Sequence, residues 1–192
     1  MIIWAIAAVA LSAVALVLAF LGLIQASKDY DKPDDVAVVS RRFDGVDPET
    51  ATVTYPVPLD QDLQDYIVET AKSYGVAPSI VFAIIGVETG GTFDPNSMGD
   101  YQDDGFPRSF GLMQIWEEHH HERCARLNAY NLLDPYQNVR VGIDFLAELL
   151  DSGHTIDECL TYYNTGYWQE PNEYARTVLC NAEQILEGVM VQ

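Results

Sequence analysis

One glutamate in the sequence is a candidate catalytic residue, because it stands at the end of a long apolar stretch. Residues 81–87 are apolar or small throughout, and Glu88 follows them directly, shortly before Gly90 and Gly91. Burial without a partner disfavours an ionised carboxylate and raises its pKa. A carboxyl group that keeps its proton near neutral pH can protonate a leaving group, and we therefore predict that Glu88 is a general acid.

Further motifs follow Glu88 along the chain, at residues 109–115, 134–142, 162–166 and 174–178. In their order and spacing they resemble the soluble lytic transglycosylase family, whose fold is related to that of goose-type lysozyme. In that family a catalytic Glu-Ser pair is followed by Gly-Leu-Met-Gln, by a helix that starts with Asp-Pro, and by a Tyr-Asn-x-Gly turn. The resemblance covers roughly residues 59–186.

The resemblance implies a reaction and a set of site residues. Glu88 would protonate the oxygen between N-acetylmuramic acid and N-acetylglucosamine in peptidoglycan and then accept a proton from the muramic 6-hydroxyl. That hydroxyl closes on C1 to give a 1,6-anhydro product, so a second carboxylate is not required. The residues expected to bind the glycan are Ser109, Gly111, Leu112, Met113, Gln114, Tyr163, Asn164 and Tyr174.

Two positions depart from the family pattern. Thr89 stands where the family has Ser, and it keeps the hydroxyl group. In the Tyr-Asn-x-Gly turn, Tyr162 and Thr165 stand where the family has alanine. These larger side chains affect the expected shape of the cleft.

Hydrolysis is the nearest alternative reaction. An inverting glycosidase needs a second carboxylate about 6.5–9.5 Å from the acid to position water, and the loop of residues 92–108 offers Asp100, Asp103 and Asp104. Aspartates in such a loop also serve as solvated turn formers. An alternative from another class is a weakly catalytic, glycan-binding component of a virion or a secretion apparatus.

The elements that position these residues are predicted to be mainly helices. Helical spacing precedes Gly75, Pro78 opens the helix that ends at Glu88, and a short helix is expected from about Leu112 to the histidines at 119–121. The sequence contains no Asn-Gly hairpin and no run of alternating strands, so no sheet is predicted. Further helices are expected over residues 134–153, 156–163 and 172–189.

The beginning of the chain reads as a membrane anchor. Residues 2–26 carry no ionisable side chain, and at about 1.5 Å per residue they can cross a hydrocarbon core of about 30 Å. We therefore predict a transmembrane anchor at 1–26, an extended acidic linker at 27–58 and a lysozyme-like domain at 59–192. A cleaved signal peptide is the alternative, although the apolar run exceeds the usual length of roughly 7–15 residues.

A retained anchor implies a membrane-bound enzyme with its catalytic domain facing the cell wall. That domain would lie in the periplasm or outside the cell, or the anchor would lie in a virion membrane. Peptidoglycan strands are the expected partner, and a larger envelope or virion assembly is a further expected setting.

Charge and composition limit the other partners. The formal net charge of -19 argues against binding to nucleic acid or to an anionic membrane surface through a basic patch. We expect no cofactor and no metal, since the adjacent His119, His120 and His121 point in different directions on a helix.

Trp116 and Trp168 could stack on sugar rings or pack in the core. The sequence does not decide between one disulfide and three buried thiols for Cys124, Cys159 and Cys180.

Overall fold

The computed structural model describes residues 53–191, and the predicted anchor and most of the predicted linker lie outside them. Within the described residues, no helix is both long and apolar enough to cross a bilayer. The predicted helical fold is confirmed for this part of the chain, which contains six helices. They are α1 (Gln61–Ser73), α2 (Pro78–Glu88), α3 (Glu117–Leu127), α4 (Pro135–Leu150), α5 (Ile156–Thr165) and α6 (Glu173–Glu187).

Between residues 53 and 191, five strands of two residues each form two small antiparallel sheets. The first sheet pairs β1 (Val53–Thr54) with β5 (Met190–Val191) and so joins the two ends of the described region. The second has the order β2-β3-β4, with Met98 opposite Phe110 and Ser109 opposite Trp116. Its strands are β2 (Met98–Gly99), β3 (Ser109–Phe110) and β4 (Ile115–Trp116).

Helix α2 lies at the centre of the hydrophobic core. Pro78 occupies its first turn, where the missing amide hydrogen costs nothing, and every residue from Pro78 to Ile85 is buried. The helix packs mainly against α6, and α1 lies beside it. A helix that is apolar on all faces is stable only when other elements surround it. The surrounding helices therefore fix the position of Glu88 at its end.

Side-chain caps determine where α4 and α6 begin. The Asp134 carboxylate accepts a hydrogen bond from the Gln137 amide at 3.0 Å, and the Asn172 side chain accepts one from the Ala175 amide at 3.0 Å. Such caps satisfy amide groups that the first helical turn leaves without partners. Both helix starts agree with the sequence prediction to within one residue.

A buried ion cluster joins α3 to α4. Asp144 is only 7% exposed, and it accepts hydrogen bonds from Arg123 at 2.8 Å and from Arg126 at 2.7 Å. The Arg123 guanidinium also lies over the ring of Phe145, 5.0 Å from its centroid. Because a buried charge is tolerated only when it is paired, this cluster sets the position of α3 on α4.

Two predictions about the middle of the chain are wrong. The three-stranded sheet begins inside the predicted loop, because two-residue strands are too short to give an alternating pattern. The short helix begins at Glu117, not near Leu112, and continues past the histidines to Leu127. Gly111 and Gln114 have positive φ angles of 75° and 45°, which an α-helix does not accommodate, so the chain turns there first.

Candidate active site

Glu88 is the last residue of α2, and its side chain faces α6. Its Oε1 accepts a hydrogen bond of 2.5 Å from the hydroxyl of Tyr174, which lies in the first turn of α6. The pKa of Glu88 is raised to about 7, and burial is the largest cause. The Tyr174 hydrogen bond lowers this pKa, and the negative charge of Asp100 raises it. A carboxyl group with this pKa can both donate and accept a proton near neutral pH.

Two tyrosines flank this carboxyl group. The Tyr163 hydroxyl, on α5, donates a hydrogen bond of 3.0 Å to the Met113 carbonyl. Burial and then the charge of Glu88 raise the pKa values of Tyr163 and Tyr174 well above their usual range. Both therefore remain neutral hydrogen-bond donors at neutral pH.

Asn138 holds the segment of residues 110–113 in place. Its Oδ1 accepts a hydrogen bond from the Met113 amide at 2.8 Å, and its Nδ2 donates to the carbonyls of Phe110 at 2.8 Å and Leu132 at 2.9 Å. The side chain is completely buried, so these bonds replace water entirely. Gly111 is required beside it, because a Cβ at that position would overlap both the Leu132 carbonyl and the Asn138 amide.

The predicted glycan-binding residues of this segment differ in exposure. Leu112 and Met113 are completely buried, so their side chains support the segment from below while their main chain lies at its turn. The Gln114 side chain donates to the carbonyls of Ser97 at 3.1 Å and Gly111 at 2.8 Å. It thereby ties β2 and its preceding loop to the turn before β4.

Asn164 joins the end of α5 to the start of α6. Its side-chain oxygen accepts a hydrogen bond of 3.1 Å from the side-chain amide of Asn172. The main-chain amide of Asn172 donates to the hydroxyl of the buried Thr161 at 3.1 Å. Because Asn172 caps the helix that carries Tyr174, these bonds fix the direction from which the Tyr174 hydroxyl reaches Glu88.

The three loop aspartates have different surroundings. Asp100 adopts a left-handed backbone with φ 53°, accepts a short hydrogen bond from the Ser109 hydroxyl, and raises the pKa of Glu88 by its charge. Asp104 instead accepts bonds from the Phe106 amide at 3.0 Å and from Arg108 at 2.5 Å. Those two partners lower the pKa of Asp104, and Asp103 is exposed. Of the three loop aspartates, Asp100 is thus the one whose negative charge raises the pKa of Glu88.

Sequence reasoning missed the supporting residues of the site. Asn138 stood in one of the recognised motifs, four residues after Asp134, yet its buried bonds to a segment 25 residues earlier gave no local signal. The sequence indicated the hydroxyl group of Thr89 but not its hydrogen-bond partners. Its hydroxyl donates to the Ile85 carbonyl at 2.7 Å and accepts from the Phe93 amide at 3.0 Å, so it fixes the turn that follows Glu88.

The histidines and cysteines lie outside this site. Among residues 53–191, no group of three His, Cys, Asp or Glu side chains is placed to hold a metal ion. Burial, followed by the charges of Arg123 and His119, lowers the pKa of His120 to about 4. All three cysteines are free thiols in the structure, two of them buried.

The described part of the chain has surface cavities, among them one of about 350 Å³ and one of about 520 Å³. The first opens beside Tyr74 and Asp144, and the second beside Arg108 and Phe110. Neither is lined by Glu88. The candidate site is therefore defined by the chemistry around Glu88 and not by the size of a cavity.

A helical domain with a proton-holding carboxyl group at the end of its central helix has the arrangement of a lysozyme-like, glycan-cleaving enzyme. A family model for the transglycosylase SLT domain matches residues 65–177, more than half of the chain. The chain belongs to this family, which confirms the resemblance to soluble lytic transglycosylases. Membership implies a glycan-cleaving transglycosylase that acts on peptidoglycan.

We predict that Asn138→Ala destabilises the fold. The change leaves the Met113 amide and the carbonyls of Phe110 and Leu132 buried without this partner, and the free energy of unfolding should fall by about 3 kcal/mol. Urea unfolding followed by circular dichroism measures the loss. Asn96→Ala, in an exposed turn, is the matched control and should change stability by less than about 0.5 kcal/mol. Equal losses in the two variants would contradict the role of Asn138.

We also predict opposite changes in the pKa of Glu88 for two variants. Tyr174→Phe removes a hydrogen bond that favours the carboxylate, so the pKa should rise above about 7. Asp100→Asn removes a nearby negative charge, so the pKa should fall. NMR titration of the Glu88 carboxyl carbon measures both. Asp103→Asn serves as the control, and shifts of the same sign in the first two variants would refute the assignment.

Proposed function

We propose that this protein is a lytic transglycosylase that cleaves the β-1,4 bond between N-acetylmuramic acid and N-acetylglucosamine, with Glu88 as general acid and then general base. The observation that supports this most directly is the hydrogen bond from Tyr174 to a carboxyl group whose pKa is raised to about 7. One group can donate and then accept a proton efficiently when its pKa lies near the working pH.

In the first step, Glu88 donates its proton to the bridging oxygen while the bond from that oxygen to C1 of the muramic ring breaks. Positive charge develops on the ring, and Glu88 becomes an anion. The neutral Tyr174 hydroxyl stabilises this anion by donating to it. The negative charge of Asp100 raises the pKa of Glu88. It therefore makes the loss of the Glu88 proton less favourable and the later return of a proton to Glu88 more favourable.

In the second step, the muramic 6-hydroxyl attacks C1, and Glu88 accepts the proton of that hydroxyl. A bond forms between C1 and O6, no water is consumed, and Glu88 returns to its starting protonation state. Tyr163 and Tyr174 do not compete as bases, because their pKa values lie well above the usual range.

For substrate binding, we propose that the segment from Ser109 to Gln114 forms one wall of the cleft. Phe110 and Gln114 are its partly exposed residues, which a ligand could reach, whereas Leu112 and Met113 are completely buried and support this wall from within. Asn164 and Tyr163 belong to the opposite side in this proposal, where the hydroxyl of Tyr163 contacts the Met113 carbonyl across the fold.

We predict that Glu88→Gln abolishes the release of 1,6-anhydro products from purified peptidoglycan and leaves the fold intact. Glutamine can still accept the Tyr174 hydrogen bond but cannot donate an acidic proton. Mass spectrometry of the digest measures the products, and thermal unfolding checks the fold. Glu118→Gln, at an exposed position on α3, is the matched control and should retain full activity. A fully active Glu88→Gln variant would refute the assignment of the acid.

Hydrolysis with Asp100 as the second carboxylate is the second candidate reaction. Its support is the charge of Asp100, which acts on Glu88, together with the Ser109 hydroxyl that holds the aspartate. The same digest separates the two reactions, because hydrolysis yields reducing ends in place of anhydro products. Reducing ends that disappear in Asp100→Asn would establish hydrolysis, and a digest without either product would favour a glycan-binding component.

We propose in addition that a membrane tether concentrates the enzyme at the wall. The formal net charge of -19 gives no attraction to an anionic wall polymer, whereas residues 2–26 carry no charge at all.

The prediction is that deletion of residues 1–26 lowers the lysis of whole cells far more than the digestion of purified wall fragments. Turbidity loss of cells and dye release from fragments measure the two activities. The control is the same deletion replaced by an unrelated transmembrane segment, which should restore lysis. Equal losses on both substrates would count against the tether.

A further inference from the structure

A row of aromatic rings leads from Tyr163, beside Glu88, to the exposed loop after α5. Ring centroids lie 5.2 Å apart between Tyr163 and Phe145, 6.5 Å between Phe145 and Tyr162, and 4.4 Å between Tyr162 and Trp168. We call these four residues, together with His120 and His154 at the two sides, the aromatic row. It includes residues of α3, α4 and α5 and of the loops before and after α5.

Trp168 forms the outer end of the aromatic row. Its indole stacks on His154 with centroids 3.6 Å apart and an angle of 9° between the planes, yet 42% of the residue remains exposed. The neighbouring Tyr167 is 72% exposed. A large ring that is held in one orientation and still faces solvent loses little conformational entropy when a ligand covers it.

We propose that the aromatic row binds a glycan strand of peptidoglycan, with Trp168 as an outer stacking site separated from Tyr163 by Phe145 and Tyr162. The proposal rests on the proposed function, which places the cleaved bond at Glu88. Sugar rings present faces of C–H groups, and these lose contact with water when they lie against an aromatic ring.

The charge of the chain favours this kind of contact. A net charge of -19 repels an anionic polymer, so binding energy must come from groups other than a basic surface. The cation nearest the row, Arg123, is already paired with Asp144 and Glu148. Uncharged stacking on Trp168 and Tyr162 provides affinity that this repulsion does not remove.

The outer site should matter only for substrates long enough to reach it. A long strand that occupies Glu88 and Trp168 together gains the stacking contact, whereas in this proposal a tetrasaccharide with two sugars on each side of the cleaved bond ends before Trp168. Trp168 is thus a determinant of substrate length and takes no part in the bond cleavage itself.

The test compares Trp168→Ala with the unchanged protein on tetrasaccharides and on long glycan strands freed of stem peptides. We expect KM for long strands to rise about tenfold, with kcat unchanged and no effect on tetrasaccharides, because one aromatic contact contributes on the order of a tenfold change in affinity. Trp168→Tyr retains a ring and should restore most of the affinity. Tyr130→Ala, which removes a ring that is 78% exposed outside the row, is the matched control.

Two results would overturn the proposal. One is an unchanged KM for long strands in Trp168→Ala. The other is an equal loss on short and long substrates together with a lowered Tm, which would mean that the stack on His154 only supports the loop.

A binding measurement separates this proposal from the proposed function. Long strands should bind the Glu88→Gln protein more tightly than the Glu88→Gln, Trp168→Ala protein, by about tenfold in Kd. This difference is expected even if the unchanged protein releases no anhydro products, which would refute the catalytic assignment alone. Equal Kd values in the two proteins would refute the aromatic row as a glycan site.

Discussion

The contact between α2 and α6 is the constraint on which the site depends. Helix α2 is buried along residues 78–85, and α6 is its main neighbour. This packing brings Tyr174 to Glu88 although the two are 86 residues apart in the chain. The hydrogen bond between them is therefore a product of core packing. A change that shifts one helix relative to the other would therefore also alter the pKa of Glu88.

Polar side chains fix the rest of the site to this helix pair. Asn138 binds the main chain of the segment before β4, Gln114 ties that segment to β2, and Asn172 with Asn164 sets the start of α6. Each of these bonds joins elements that are distant in sequence. Buried and satisfied polar groups of this kind define one arrangement among many that apolar packing would allow.

The sequence predicted the features that local patterns determine. Pro78, Gly90 and Gly91 mark the ends of α2, and the unbroken apolar run identified Glu88 as a residue in an unusual environment. The starts of α4 and α6 followed from an Asp-Pro pair and from the helical spacing of the last segment.

The remaining features depend on contacts between distant residues. The three-stranded sheet has no pattern long enough to detect, and the start of α3 depends on positive φ angles at Gly111 and Gln114. Nothing local distinguishes Asp100 from Asp103 and Asp104. The difference arises because the Ser109 hydroxyl holds Asp100, whereas Arg108 holds Asp104.

The position of Glu88 at the carboxyl end of α2 has a further effect on its proton. The aligned peptide dipoles of a helix place the equivalent of roughly half a negative elementary charge at that end, where cations are favoured and anions are not. The last turn of α2 contains no basic residue that would offset this field. The backbone of the most buried helix thus acts on the carboxyl group in the same direction as desolvation. The same carboxyl group at the amino end of a helix would have a lower pKa, because the helix dipole there favours an anion.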